Sequence, residues 1–127
     1  AAAAHLVGTH DFAAFGRSPK ACGSTVRTIH ALTVRAHSLP GSHNAPAAEA
    51  PTVVTIDVTA DAFLYGMMRA IAAALVVVGH GRLDAASLRS LLDAPGATRR
   101  LPTAPAHGLH QWAVTYDVAP GEGDEDR

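Results

Sequence analysis

Cysteine is nearly missing from this chain. Cys22 is the single thiol among 127 residues, which excludes a disulfide framework and a Cys-x-x-Cys metal site and points to a reducing compartment, the cytoplasm. Aromatic residues make up 5% and charged residues 17%, yet hydrophobic residues reach 48% and mean hydropathy is +0.13, so the chain can fill one core and is not a disordered segment. No apolar run nears the roughly 18 residues of a membrane span. Net charge is also small, a formal −1, and it is unevenly placed. Residues 119–127 hold Glu122, Asp124, Glu125 and Asp126 against one Arg, so with that tail set aside the −1 becomes +2. A body this mildly positive permits a phosphate-bearing partner but lacks the basic excess of an autonomous nucleic-acid-binding domain. A phosphate-binding P-loop and a Gly-x-Gly-x-x-Gly turn are absent, which removes nucleotide hydrolysis and dinucleotide binding. The eight histidines form no His-Glu-x-x-His and no i, i+4 pair on a predicted helix, so no metal and no cofactor are expected.

What is present reads as alternating strands and amphipathic helices. Residues 26–35 mix β-branched and polar residues without Gly or Pro, and in 51–60 Val54, Ile56 and Val58 alternate with Thr55, Asp57 and Thr59, the period of a strand with one buried face. The Pro-, Ala- and Ser-rich stretch between them is expected to be a long mobile connection joining antiparallel neighbours. Asp61 is a candidate N-cap for a helix over 62–78, with Leu64, Met68, Ile71, Leu75 and Val78 as its apolar stripe and Gly79 as its stop. A shorter helix starts at Asp84, with Leu83 and Leu88 at the two positions of a hydrophobic staple, and ends at Pro95-Gly96. A last strand is predicted over 110–118 from the alternation of Trp112, Val114 and Tyr116, and the acidic tail 119–127 is expected to be disordered. Residues 1–8 carry no initiator Met and no signal-peptide pattern and read as the end of a helix that starts elsewhere. The order implies an α+β fold over 1–118, a mainly antiparallel sheet with helices packed on one face.

Arg69 stands out inside the first helix, beside its apolar stripe, where a guanidinium is costly to bury unless a carboxylate or phosphate meets it. The residue alone leaves two readings open, an arginine with a buried partner and a rim arginine that reaches water. Around it, Phe63-Leu64-Tyr65-Gly66-Met67-Met68-Arg69-Ala70-Ile71 followed by Val78-Gly79-His80-Gly81 resembles the F-L-x-x-M-V-R-x-I... V-G-x-G signature in the C-terminal half of the A-type tRNA pseudouridine synthases. His10-Asp11-Phe12-Ala13-Ala14-Phe15 is similar to the family's H-D-F-x-x-F, and Val26-Arg27-Thr28-Ile29 to its V-R-T-I. Ala104-Pro105-Ala106-His107-Gly108-Leu109 with Val114-Thr115-Tyr116 is similar to its closing A-P-x-x-G-L... V-x-Y. The motifs occur in the family's order, and their agreement carries the resemblance further than any one of them.

The resemblance implies isomerisation of uridine to pseudouridine in the anticodon arm of tRNA, in a homodimer, without cofactor or metal. It also implies a nucleophilic aspartate in an Arg-Thr-Asp motif of an N-terminal half, and no Arg-Thr-Asp occurs in this chain. By that reading the chain is a C-terminal half, inactive and weakly dimerising by itself. Arg69 matches the arginine that pairs with the aspartate, and Leu109 the apolar residue lining the base pocket. Arg17, Lys20 and Arg27 are candidate phosphate contacts near one end of the sheet. Gly66, Met68 and Gln111 depart from the family pattern, and Gln111 would make the pocket wall more polar. The competing reading is a non-catalytic α+β module that binds RNA or a protein.

Overall fold

The alternation in the middle of the chain forms what it predicts. A computed structural model describes residues 2–38, 52–94 and 101–116. A 3-10 helix at Ala2–Leu6 leads into strand β1 (Gly8–Asp11), followed by β2 (Val26–Ser38) and β3 (Thr52–Ala60). The three strands make one antiparallel sheet in the order β1-β2-β3. The pairs Leu32 with Val58, Val34 with Ile56 and Ala36 with Val54 share a face, so both apolar alternations point the same way. The ladder shifts register between Ile29 and Ala31. This bulge adds a residue at His30, so Ile29 and Leu32 can both serve the core although three positions separate them. The predicted mobile connection lies largely outside the described residues.

Two helices complete the α+β fold: α1 (Met67–Gly79) and α2 (Ala85–Asp93). The core joins Leu6, Phe12, Phe15 and Ile29 to Leu64, Met67, Ile71 and Ala74 of the α1 region and to Leu83, Leu88, Leu91 and Leu92 around α2. In α2 the expectation holds residue by residue. Asp84 is the N-cap and accepts from the Ser87 N–H at 2.7 Å, while Leu83 and Leu88 are both buried. The predicted stop at Pro95-Gly96 lies outside the described residues.

The start and stop of α1 differ from the sequence-based expectation. Asp61 does not cap the helix, because its Oδ1 accepts the Thr28 N–H at 3.0 Å and the Ala62 N–H at 2.7 Å, closing the end of the β2–β3 ladder. The chain then runs without helical structure to Gly66, which sits at the N-cap with φ 74°, a left-handed conformation that favours glycine. The helix therefore starts five residues later than 62, at Met67, and its fully buried face is Met67, Ala70, Ile71 and Ala74. Of the predicted stripe, Ile71 is on that face, Leu64 is buried just ahead of the helix, and Leu75 and Val78 pack partly buried against the core. Gly79 is the last helical residue. The stop is at Gly81, also left-handed at φ 74°, where the Gly81 N–H meets the Val78 carbonyl and the Arg82 N–H meets the Val77 carbonyl.

The last predicted strand does not form over its described part. Residues 109–116 have no regular structure, and Trp112, Val114 and Tyr116 are exposed at 94%, 51% and 78%. A strand needs a neighbouring edge to bond with, and none of the three strands pairs with this segment. The tail 119–127 lies outside the described residues.

Two measurements check this core and its edge. Leu88→Ala, which removes a fully buried side chain at the centre of the α2 contact, should cost about 2–5 kcal/mol in urea unfolding. The Thr28 N–H, then the Ala62 N–H and the charges of Arg27 and His30, hold the Asp61 carboxyl below its ordinary value, against desolvation. The folded state thus favours the charged form, so the stabilisation is present above the unfolded value and is lost as pH falls through the folded one. Asp61→Asn should be less stable than the parent near neutrality, and the gap should close below about pH 4 in pH-dependent urea titrations.

Candidate active site

Two aromatic residues fix the wall from which the site is built. Asp11 Oδ1 accepts the Ala13 N–H at 3.0 Å and the Thr25 hydroxyl at 2.6 Å, which turns the chain after β1 and drives Phe12 and Phe15 into the core with their rings edge to face. The next residue, Gly16, lies against the backbone before α1. A Cβ built there would stand 2.7 Å from the Tyr65 carbonyl oxygen and 2.8 Å from Leu64 Cβ, so only glycine allows this approach. It brings Arg17 opposite Tyr65 in an isolated antiparallel bridge, with the Arg17 N–H donating to the Tyr65 carbonyl at 3.2 Å and the Tyr65 N–H to the Arg17 carbonyl at 2.9 Å.

One turn further on, Arg69 is half-buried in the first turn of α1. Its Nε donates to the Ala104 carbonyl at 2.6 Å, and the Ala104 N–H returns a bond to the Arg69 carbonyl at 3.0 Å. This pair pins the segment 101–105 across the start of the helix. Between that segment, the turn after β1 and the head of α1 lies a cleft of about 420 Å³ whose lining includes Arg17, Tyr65, Gly66, Arg69, Leu101 and Thr103. None of its lining residues is acidic. The Arg69 terminal amino groups have no hydrogen-bond partner and no carboxylate within ion-pair reach among the described residues. The arrangement presents two guanidinium groups and an aromatic ring on a wall of small residues, which suits an anion carrying a planar group.

The predicted site residues separate in the structure. Arg17 and Arg69 share the cleft. Lys20 is exposed in the β1–β2 connection, and Arg27, at the start of β2, folds its Nη1 back onto the carbonyls of Ser24 and Val26 at 2.9 and 2.8 Å. Leu109 follows the short 3-10 turn Ala106–Gly108, is 47% exposed, and does not line the cleft; nor does Gln111. Sequence reasoning passed over Gly16, Tyr65 and Thr103, because the bridge and the crossing segment join positions distant in the chain. A second groove of about 350 Å³ between the end of α1 and the β2–β3 hairpin is lined mainly by Val34, Val54, Ile56, Leu75 and Val76 and offers His80 as its one ionisable group. Among the described residues no cluster of His, Cys, Asp or Glu could hold a metal ion, and no helix is long and apolar enough to cross a membrane.

Gly16→Ala should break the bridge, with a cost of about 1–3 kcal/mol from overpacking against backbone that cannot rotate away. Hydrogen exchange at the Arg17 and Tyr65 amides should speed up more than at the β2–β3 ladder.

The sequence model of a family described as tRNA pseudouridine synthase matches residues 2–117. Among curated proteins, tRNA pseudouridine synthase A of Bacillus velezensis is 34% identical over 116 residues, covering 91% of this chain and 42% of its own length. The protein of that name from Roseiflexus castenholzii is 39% identical over 112 residues, 87% of this chain and 37% of its own. That from Chlamydia muridarum is 36% identical over 115 residues, 91% and 38%. The chain thus spans about two fifths of the length of the curated relatives it matches.

Proposed function

Because the chain belongs to the tRNA pseudouridine synthase family, we propose that it is the C-terminal half of an enzyme that isomerises uridine to pseudouridine in the anticodon arm of tRNA. The observation that carries the reading is Arg69 itself. Its Nε is occupied by Ala104, and its terminal amino groups remain available on the cleft with no carboxylate beside them among the described residues. An aspartate brought by an N-terminal half would complete a bidentate pair there, which keeps the carboxylate ionised and aimed. The reaction is an isomerisation: the base leaves the sugar through one ring nitrogen and rejoins through a ring carbon, so it consumes no oxidant or reductant and asks for no cofactor or metal.

The partners that belong to this reading are tRNA, the N-terminal half and a second copy of the enzyme, and the compartment is the cytoplasm. The target uridine must leave its stack to be reached, so protein contacts have to offset a few kcal/mol of unstacking and unpairing. Arg17, Lys20 and Arg27 are assigned to backbone phosphates. Leu109 is assigned, by the family resemblance, to the apolar wall of the base pocket in the completed enzyme; in this chain by itself it lies off the Arg69 cleft and is 47% exposed. Ala104, bonded to Arg69 at both backbone and side chain, sets the start of the segment that leads through the Ala106–Gly108 turn to Leu109.

Arg69→Lys tests the assignment in the chain completed by its N-terminal half. A lysine keeps the charge but offers one ammonium, which cannot hold the Ala104 carbonyl and clamp a carboxylate bidentately at once. Single-turnover pseudouridine formation should fall about a hundredfold while the tRNA dissociation constant changes far less, since binding is spread over many phosphates. Near-normal turnover would return Arg69 to a rim arginine, and an equal loss of binding and rate would make it a phosphate ligand.

A further inference from the structure

Tyr65 has no part in the chemistry assigned above, yet its position is among the most constrained on the cleft. Its backbone is held on both sides: by the two-bond bridge to Arg17 and by Gly66, whose left-handed conformation starts α1. The residue is 62% exposed, and among the described residues its ring and hydroxyl have no partner. In an antiparallel bridge where two residues exchange both hydrogen bonds, their side chains project to the same side about 5.5 Å apart at the backbone. Tyr65 and Arg17 therefore stand side by side, and both line the cleft that Arg69 opens onto.

Resting on the RNA-modifying function proposed above, we infer that Tyr65 and Arg17 form a nucleotide subsite at the mouth of the Arg69 cleft. There the Tyr65 ring stacks on an unpaired base neighbouring the target uridine, and the Arg17 guanidinium meets the phosphate of that same nucleotide. An aromatic face next to a cation is the usual combination for gripping single-stranded nucleic acid, because every base has a π face and every nucleotide a charge. The wall suits an anion, since Arg17 and Arg69 line it and no carboxylate does among the described residues. The bridge makes the pair one rigid unit, so the distance between ring and guanidinium is set by backbone rather than by two independent side chains. Such a subsite favours RNA with a splayed, unstacked nucleotide beside the target and gives a duplex nothing to stack on.

The test is fluorescence anisotropy of a short labelled oligouridylate with the full 127-residue chain and three variants, with the same strand annealed to oligoadenylate as control. Tyr65→Leu should weaken binding of the single strand about tenfold, while Tyr65→Phe, which keeps the ring, stays close to the parent. Arg17→Gln should weaken it too and reduce the slope of log affinity against log salt by about 0.7. The duplex should show no dependence on residue 65. Equal affinity of Tyr65→Leu and the parent for the single strand would overturn the subsite, as would equal losses in Tyr65→Leu and Tyr65→Phe, or no binding by the parent at low salt. The isomerase reading stands or falls separately: loss of turnover in Arg69→Lys with no dependence on Tyr65 would keep the enzyme and remove the subsite. Normal turnover in that variant with clear dependence on Tyr65 would keep the subsite and remove the assigned catalytic pair.

Discussion

Two backbone hydrogen bonds between Arg17 and Tyr65 hold the turn after β1 against the head of α1, and one whole side of the cleft follows from them. Each is worth about 1 kcal/mol net, so the bridge matters less as energy than as geometry. Tied to Arg17, Tyr65 cannot be helical, and the helix has to begin after the left-handed Gly66. Met67, Ala70 and Ile71 then turn to the core, and Arg69, between them, is left half-buried at the cleft wall. The approach depends on Gly16 having no side chain, and on Phe12 and Phe15 anchoring the chain just ahead of it.

Arg69 then organises the other side. An arginine whose Nε donates to the Ala104 carbonyl and whose own carbonyl accepts the Ala104 N–H fixes both the direction of its side chain and the path of the segment that crosses it. The first turn of α1 and the segment that crosses it are thus tied by one residue. The motifs that carried the family resemblance divide accordingly. Phe12, Phe15 and Ile29 serve the core, Asp11 serves a turn, and Gly81 ends α1. At the cleft itself, Arg69 is joined by Tyr65 and Gly66 of its own motif and by Ala13 to Phe15 of the first, while Ala104 stands behind it as the hydrogen-bond partner of the guanidinium.

How much of this was legible depended on whether the physics was local. The strands β2 and β3 and the helix α2 could be read because alternation, a capping Asp84 and a Leu83–Leu88 staple act within a few residues. The start of α1 could not, because Asp61 had a competing partner in Thr28 across the sheet and Tyr65 one in Arg17. Residues 110–116 show the opposite failure. Their alternation is a sound strand pattern, but a pattern states only which face would be apolar, and strand geometry needs an edge to bond with. Arg69 was singled out from its place beside an apolar stripe, but the partner it has here, the Ala104 carbonyl, was invisible to composition or spacing.

Trp112 is the chain's one indole and stands almost wholly in water. Optically, this makes the segment 109–116 its own label. Ultraviolet emission excited at the indole band comes from a single site, and its colour reports the polarity around that site alone. Any event that lays a neighbouring strand, a second polypeptide or a nucleic acid over the segment has a spectroscopic signature without a dye, while events at the core leave it unchanged.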